Sequence, residues 1–388
     1  LAEFCRNASR MDEAMFDQCL TRHASGVSLL AAPKSFREIR YVTPQGVRKA
    51  LNMARRMFSY VVIDLDPSFR QETTQTLFQS DIILLGHGSG GKLSHELLDE
   101  LIVPILSGIA QRDQNDAAIL PGQQGRLAFT TDSYVVDPIF FPGGSIGSLS
   151  IHGTVNDLAM AGAMPVAISV GLIIEEGLAV STLRTILEDM SAAAEKAGVR
   201  IMTGDTKIVP RGKADKIFIN TSGIGTIGHD LDISGSKAQI GDKVLINGTI
   251  GDHGMAVMAH REGLALKSAI TSDSAPLSSL VKELIHGVGC RLHALRDPTR
   301  GGIATTLKEI AIQSEVEITL QETSLPVDPT VAGACAILGL DPLFVANEGK
   351  MLLLVSGDQA QSVLATLRSL PQGEAAAIIG EVNFSMIA

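Results

Sequence analysis

The sequence predicts an α/β protein that contains more than one domain. Its 388 residues exceed the length at which a single hydrophobic core usually stops growing, and 45% of them are hydrophobic, which is enough for real cores. From about residue 83 onward, short apolar runs typical of strands alternate with longer amphipathic stretches typical of helices. Residues 181–197 illustrate the pattern, because they have helical spacing and precede Gly198 and the strand-like run 199–203.

Residues 1–81 differ from the rest of the chain, with more Arg and aromatic residues and little Gly. We expect helices near 11–20 and 44–58 and strands near 27–31 and 60–64. This order of strand, helix and strand predicts a partial parallel α/β unit. The segment therefore forms the first predicted domain.

A second boundary is predicted at a polar stretch containing Gly, Ser and Lys, residues 235–241, which precedes a strand at 243–246. The two remaining domains are therefore predicted at 82–235 and 236–388.

Composition excludes several classes of function. The formal net charge is −10 and no dense Lys/Arg block occurs, so we expect no nucleic-acid surface. The apolar runs are too short to span a bilayer, so we also expect no membrane segment. The four cysteines form no CxxC pair, which argues against a zinc site or a disulfide framework and favours a reducing, cytoplasmic location.

Acidic residues recur beside glycine or small polar residues at the apparent ends of strands. Carboxylates gathered in this way repel one another unless a hard cation lies among them, and Mg²⁺ prefers a few carboxylates together with phosphate oxygens. The pattern predicts a magnesium nucleotide site, although each Asp taken alone could cap a helix. The positions are Asp116, Asp132, Asp157, Asp205 and Asp297.

Two glycine-containing segments could bind phosphate. The run from Gly86 to Leu93 fits the spacing G-x-x-x-x-G-K, but Leu93 replaces the hydroxyl residue of a P-loop, so the segment is either a mobile flap or a linker. The second segment, 297–302, precedes a predicted helix at 303–312 and could present N–H groups to an anion or simply cap the helix. The residues concerned are Gly88, Ser89, Gly90, Gly91 and Lys92 in the first segment and Thr299, Arg300, Gly301 and Gly302 in the second.

Three further short motifs could contribute to the site or be ordinary turns and caps. Lys207 follows Asp205 closely and could bind phosphate or transfer a proton. The segment 347–350, which contains Glu348, has the composition of an ordinary turn. The segment 251–254 is a turn with a possible acid/base imidazole.

Taken in order, these motifs resemble the HypE family of [NiFe]-hydrogenase maturation factors over about residues 83–382. The match rests on motifs that recur in one order along the chain: His87–Lys92, Thr131–Pro138, Phe140–Gly144, Gly204–Lys207, Gly251–Gly254, Arg296–Gly302 and Asn347–Lys350. The resemblance implies the fold shared with aminoimidazole ribonucleotide (AIR) synthetase, also called PurM-like. In that fold an N-terminal domain pairs into a dimeric β-barrel and an α/β domain follows it.

The resemblance also implies the chemistry. HypE proteins use ATP and Mg²⁺ to dehydrate a carboxamide on a cysteine to a thiocyanate, whose cyanide goes to the hydrogenase iron. A HypF-like carbamoyltransferase, a HypC–HypD complex and a second copy of the chain are the implied partners.

The same resemblance implies a role for each matched residue. Lys207 and Glu348 form a proton-transfer pair, and Asp157 also contributes to catalysis. The five aspartates bind Mg²⁺ and the phosphates, and Lys92 closes with its flap over the nucleotide. The remaining implied nucleotide contacts come from Asn156, Gly204, Thr206 and residues 299–302.

Two features depart from the family pattern. HypE proteins end in a flexible tail closing with Pro-Arg-Ile-Cys, whereas this sequence stops at Ala388, so we expect no self-carbamoylation of the chain as given. Residues 1–81 resemble the later half of MinD/ParA-like ATPases without a P-loop, and we expect no hydrolysis there. The alternatives left open are a Mg-ATP-binding scaffold without turnover and a small-molecule phosphotransferase of the same superfold.

Overall fold

The computed structural model describes residues 1–7, 10–31, 41–59, 61, 82–88, 92–106, 118, 120–122, 125–264, 269–288 and 292–384. At the N-terminus, three helices surround a small core in which Phe4 packs edge-on against Phe16, with ring centroids 5.2 Å apart. These helices are α1 (Ala2–Arg6), α2 (Glu13–Gln18) and α3 (Pro44–Met57), which include the two helices predicted for this segment.

The strand predicted at 27–31 is short and antiparallel. It forms β2 (Ser28–Leu29), which pairs with β1 (Thr21–Arg22) in a small hairpin. The strand predicted at 60–64 lies outside the described residues except for Val61, so a parallel α/β unit in this segment stays a prediction.

The next part of the chain builds a four-stranded sheet with helices on one face. The strand order is β3-β8-β6-β7, in which β6 and β7 are parallel and the other pairs are antiparallel. Two helices cover one face, and the side chains of the other face are exposed or half-buried. The elements are α4 (Lys92–Leu97), α5 (Val103–Leu106), β3 (Arg126–Tyr134), β4 (Phe140–Phe141), β5 (Gly144–Ser145), α6 (Ile146–Met160), β6 (Met164–Glu175), α7 (Val180–Ala197), β7 (Arg200–Val209) and β8 (Ile217–Ile227), of which α6 and α7 are the covering helices.

The last part of the chain builds a five-stranded antiparallel sheet with helices on both faces. Its strand order is β10-β12-β9-β13-β11. In the neighbouring strands β9 and β12, successive side chains point alternately into two separate cores. One core lies against α9 and α12, and the other lies against α10. The elements are β9 (Lys243–Ile246), α8 (Asp252–Arg261), α9 (Ser278–Val288), β10 (Leu292–Arg296), α10 (Gly302–Ser314), β11 (Val316–Leu320), α11 (Pro329–Leu338), β12 (Leu352–Val355), α12 (Ala360–Arg368) and β13 (Ala377–Phe384).

Helix α6 connects the two sheets. It begins at a capping box in which Ser145 and Ser148 satisfy each other's backbone N–H groups, and its C-terminal residues Ala159 and Met160 enter the core of the second sheet. Nearly every residue of α6 is buried, so it lacks the polar face by which a surface helix is recognised. Within the described part of the chain, no helix combines the length and apolarity needed to cross a membrane.

Three predicted motifs occupy different local structures from those expected. Gly204–Lys207 lies inside β7 instead of after it, because pairing with β6 continues through these residues. Asn156 and Asp157 lie inside α6 and cap nothing. The segment 251–254 begins α8, with Gly251 at a φ of 82° before its first turn, so it is not a turn between strands.

Candidate active site

A cavity of about 740 Å³ lies between elements of the two sheets. The end of β3 and one side of α6 form one wall, and the connection from β10 to α10 forms the opposite wall. The carboxyl groups of Asp132, Asp157, Asp297 and Glu348 all belong to residues that line it. The structure therefore brings together three of the predicted metal ligands and the predicted proton-transfer glutamate.

Asp132 and Asp157 meet because alternate residues of β3 face α6. The Thr130 hydroxyl donates a hydrogen bond of 2.7 Å to Asp157 Oδ2, and the Tyr134 hydroxyl donates one of 3.1 Å to Asp132 Oδ2. Burial raises the pKa of Asp157, and the nearby negative charge of Asp132 raises it further, while the bond from Thr130 opposes the shift. The two carboxylates are fixed close enough to repel each other.

Asp297 stands at the opposite wall, directly after β10. Burial and then the charge of Asp157 raise its pKa to about 7. The neighbouring Gly302 has a φ of 63°, and a Cβ atom there would lie 2.4 Å from the carbonyl oxygen of Leu343. Glycine thus allows the chain to turn tightly into α10, whose N-terminus lies beside the cavity.

This helix start can receive an anion. Thr299 and Arg300 line the cavity, Gly301 is the N-cap of α10 with a φ of 74°, and the first N–H groups of a helix lack partners within the helix. The predicted phosphate segment at 297–302 is therefore placed against the carboxylates, as a Mg²⁺–phosphate pair requires.

Hydrogen bonds to the backbone of Glu348 and from the side chain of the preceding residue hold Glu348 in place. Its carbonyl oxygen accepts a hydrogen bond of 3.0 Å from the Asn156 side chain, and the preceding residue, Asn347, donates from its side chain to the carbonyl oxygen of Pro298 at 3.1 Å. Burial and next the charge of Asp297 raise the pKa of Glu348 well above its ordinary value. A carboxyl group of this kind is suited to proton transfer.

The chemistry of the donor set fits a divalent cation that also binds phosphate. Among the described residues, no three His, Cys, Asp or Glu side chains are arranged to hold a metal ion by themselves. Mg²⁺ is commonly held by one or two carboxylates plus phosphate oxygens, which agrees with carboxylates that share a cavity without forming a closed cage. Asp116, another predicted ligand, lies outside the described residues.

The structure places Asp205 and Lys207 away from this cavity. Their Cα partners on β6 are Gly171 and Ile173, and this register places Asp205 and Lys207 on the open face of the first sheet. The Asp132 side chain points to the helix-covered face. The two side chains form an exposed ion pair at 3.9 Å, with 74% and 67% of their surfaces accessible. Gly204 and Thr206 belong to the same strand, and neither lines the cavity.

The predicted flap is described only in part. Gly88 ends a 3-10 turn (Leu85–Gly88) that packs against Ile208 of β7. Ser89, Gly90 and Gly91 lie outside the described residues, as does the side chain of Lys92, whose backbone begins α4.

Asn156, predicted to contact nucleotide, is buried and does not line the cavity. Its side-chain amide donates to the carbonyl oxygens of Ala275 and Glu348, each at 3.0 Å, and accepts from the N–H of Leu277 at 2.8 Å. Both amide hydrogens are therefore used within the protein, and its nucleotide contact stays a prediction.

Sequence reasoning missed the side chains that support the carboxylates. Thr130 and Tyr134 lie two residues from Asp132 on either side, and the two-residue period of a strand could have placed all three on one face. Arg296 lines the cavity and donates to Glu309 at 2.9 Å, but no spacing rule in the sequence indicates that pair.

Comparison with known proteins places this site in a family. The profiles "AIR synthase related protein, N-terminal domain" and "AIR synthase related protein, C-terminal domain" match residues 114–227 and 239–385. The carbamoyl dehydratase HypE of Bradyrhizobium diazoefficiens is 51% identical over 297 residues, which are 76% of this chain and 86% of that protein. The chain belongs to the HypE family.

Solved HypE structures agree with this assignment. A crystal structure of a HypE protein in complex with ATP is 50% identical and superposes with a TM-score of 0.76, covering 78% of this chain and 90% of that one. A HypE–HypF complex contains a chain that is 46% identical, with a TM-score of 0.66 and coverage of 76% and 94%. The predicted HypE resemblance and the PurM-like fold are confirmed, whereas the domain boundaries and the MinD/ParA-like character of residues 1–81 stay predictions.

The raised pKa of Asp297 predicts a pH-dependent gain in stability from Asp297→Asn in metal-free protein. Because the folded state favours the neutral acid, its contribution to stability is complete below the unfolded pKa near 4 and is lost as the pH rises to about 7. The variant should therefore match the parent near pH 4 and exceed it by roughly 2–4 kcal/mol at pH 8 in urea unfolding.

Asp328→Asn is the matched control for this experiment. Asp328 caps α11 at the surface, and its hydrogen bond from the Thr330 N–H lowers its pKa. Its substitution should give no gain at pH 8. An Asp297→Asn variant that is equally stable with the parent at both pH values would contradict the buried-carboxylate interpretation.

Proposed function

We propose that the chain is an ATP-dependent carbamoyl dehydratase of [NiFe]-hydrogenase maturation. It converts the S-carboxamide of a protein cysteine to a thiocyanate, the source of the cyanide ligands of the hydrogenase iron. The observation that carries the proposal is the meeting of Asp132, Asp157, Asp297 and Glu348 in one cavity beside the N-terminus of α10. The HypE relatives support both the reaction and the use of ATP.

The reaction needs an activated oxygen and the removal of two protons from nitrogen. The carboxamide R–S–C(=O)NH₂ and ATP give R–S–C≡N, ADP and inorganic phosphate, with one net proton released at neutral pH. The amide oxygen takes the γ-phosphoryl group and leaves as phosphate, because an amide oxygen alone is a poor leaving group. Glu348, as its carboxylate, accepts one proton from nitrogen and later releases it to solvent, and its raised pKa makes that carboxylate the stronger base. The second proton leaves nitrogen with the departing phosphate, which becomes hydrogen phosphate.

Asp132, Asp157 and Asp297 would hold Mg²⁺, together with Asp116 and Asp205 by family resemblance. The ion supplies charge neutralisation at the phosphate oxygens when it is bound. Thr299, Arg300 and the N–H group of Gly301 would receive the phosphates at the start of α10, whereas the N–H of Gly302 donates to the carbonyl oxygen of Thr299 at 3.1 Å. In this arrangement the cation would relieve the repulsion of the carboxylates both from one another and from the phosphates.

A second copy of the chain would complete the site. The open face of the first sheet exposes Leu127, Phe129 and Ile173, whose surfaces are 59%, 72% and 42% accessible. An apolar sheet face that is uncovered in the described part of the chain favours pairing with another sheet, as in the dimeric barrel implied by the family. Asp205 and Lys207 share this face and do not line the cavity of their own chain, so we propose that Lys207 acts in the neighbouring subunit.

The source of the carboxamide would be a HypF-like carbamoyltransferase. The relative solved as a HypE–HypF complex supports this partner. A HypC–HypD complex as the acceptor of cyanide follows from the family resemblance and is part of the same proposal.

Turnover with a defined substrate tests the proposed reaction. With Mg-ATP and a synthetic peptide that ends in Pro-Arg-Ile-Cys and carries a carboxamide on sulfur, we expect phosphate release in step with thiocyanate formation, measured by mass spectrometry. Glu348→Gln should lower the rate at least about 100-fold, because a proton acceptor is lost while nucleotide binding remains. The surface variant Glu317→Gln is the control and should retain the parent rate. ATP binding without any peptide-dependent phosphate release would favour a non-catalytic scaffold instead.

Mixed dimers test whether Lys207 acts across the interface. Lys207→Ala and Glu348→Gln proteins should each be nearly inactive, but an equimolar mixture that exchanges subunits should regain about one quarter of the parent rate. The reason is that half of the dimers are mixed, and each of these has one site with both residues intact. Absence of recovery, with subunit exchange verified by native mass spectrometry, would place Lys207 and Glu348 in the same subunit.

A further inference from the structure

The segment before α9, residues 269–277, crosses from the first half of the molecule to the Glu348 turn, and we call it the strap. We propose that Asp273 of the strap is a positioning residue for Glu348 and that Lys350 aims the Asp273 carboxylate. The inference rests on the proposed function, because it assigns Asp273 a part in the proton transfer made by Glu348. Asp273 does not itself line the cavity.

Two buried histidines hold the strap. His253 at the start of α8 pairs through Nδ1 with the Ser272 hydroxyl at 2.8 Å, and His152 of α6 pairs in the same way with Ser274 at 3.0 Å. The N–H of Ser272 also donates to the carbonyl oxygen of Pro142 at 2.8 Å. Asp273 lies between these two serines, so its position is determined from both sides.

Helix α6 adds a third attachment next to the catalytic residues. The Asn156 side chain bonds the backbone of the strap at Ala275 and Leu277 and the carbonyl oxygen of Glu348. Since Asn156 precedes Asp157 on α6, one buried amide links the strap, the Glu348 turn and the helix that carries a cavity carboxylate.

Asp273 contacts the Glu348 turn directly. The N–H of Glu348 donates to Asp273 Oδ1 at 3.1 Å. The next residue is glycine, and a Cβ atom on Gly349 would lie 1.8 Å from the carbonyl oxygen of Asp273, so only glycine permits the two backbones to approach this closely. The Glu348 backbone is therefore hydrogen-bonded on both sides, because its carbonyl oxygen accepts from Asn156 and its N–H donates to Asp273.

Lys350 forms an ion pair with the oxygen of Asp273 that faces away from Glu348, an oxygen that has no hydrogen-bond partner among the described residues. Its Nζ atom lies 3.3 Å from Asp273 Oδ2 and 3.7 Å from Asp252 Oδ2. The three side chains are only 12%, 3% and 14% accessible in the order Lys350, Asp273, Asp252, so this is a buried ion cluster. A buried ion pair adds little net stability compared with apolar residues, so we assign this cluster a role in geometry instead of stability.

The test uses a double-substitution cycle with the carbamoylated peptide assay. Asp273→Ala should lower kcat about tenfold, because the hydrogen bond that aligns Glu348 is lost. The Kd of a non-hydrolysable ATP analogue should change less than about twofold. In a Glu348→Gln background the same substitution should cause no further loss, because Asp273 acts through Glu348. A loss that persists in that background, or an unchanged kcat, would overturn the proposal.

A conservative variant separates positioning from simple loss of folding. Asp273→Asn keeps a side-chain oxygen as acceptor for the Glu348 N–H, and Lys350 still faces Asp252, so kcat should stay within about threefold of the parent. Lys243→Met removes the surface ion pair with Glu381 at the far end of β9 and should leave kcat unchanged. A loss of kcat in Asp273→Asn as large as that in Asp273→Ala, while its melting temperature matches the parent, would contradict the assignment.

Hydrogen exchange tests whether Asp273 holds Glu348 in place without requiring catalytic turnover. The amide of Glu348 should exchange at least about tenfold faster in Asp273→Ala than in the parent or in Lys243→Met, measured by mass spectrometry on peptides that cover 345–352. Unchanged exchange would overturn the claim that Asp273 holds Glu348. If the parent releases no phosphate with the peptide, the proposed function fails, and the exchange result decides the positioning alone.

Discussion

Mutual repulsion of carboxylates is the constraint on which the site depends. Asp132, Asp157, Asp297 and Glu348 share one cavity, and burial and neighbouring charge raise the pKa of Asp157, Asp297 and Glu348. Holding ionised carboxyl groups close together is unfavourable, and proteins retain such clusters where a bound ligand offsets the repulsion. A divalent cation bound to a polyphosphate offsets it. The helix start at α10 supplies the N–H groups that the phosphates need, so cation and anion sites lie side by side.

Rigid supports keep these acidic groups in place. Helix α6 crosses from the core of the first sheet to that of the second and carries both Asn156 and Asp157. Asn347 bonds the backbone at Pro298 and Gly251, so the Glu348 turn, the Asp297 segment and the start of α8 form one connected unit. Elements from both halves of the chain therefore fix each reacting group, and chemistry is confined to the cavity between them.

The sequence predicted what depends on local pattern and on ordered motifs. An apolar run predicts strand β9 at its observed bounds, and the glycine at 198 predicts the end of α7. Asp132, Asp157, Asp297 and Glu348 were predicted to belong to one site, and the structure brings them together. The family resemblance contributed the role of Glu348, since the composition of 347–350 alone is that of an ordinary turn.

Other features depended on tertiary packing that no short pattern reveals. The family resemblance predicts a nucleotide contact for Asn156, yet its amide is used by three backbone groups of the strap and the Glu348 turn. These groups lie 119, 121 and 192 residues away along the chain. The register of β6 and β7 decides that Lys207 points to the open face, which the sequence could not give. The importance of Asp273 emerges only from its bond to Glu348.

The most direct test of a cation-dependent nucleotide site is calorimetric titration of a non-hydrolysable ATP analogue at pH 8, with and without Mg²⁺. The repulsion account predicts clear binding with Mg²⁺, at least about tenfold weaker binding without it, and a similar loss in Asp157→Ala. Equal affinity with and without Mg²⁺, or binding unaffected by Asp157→Ala, would contradict the account.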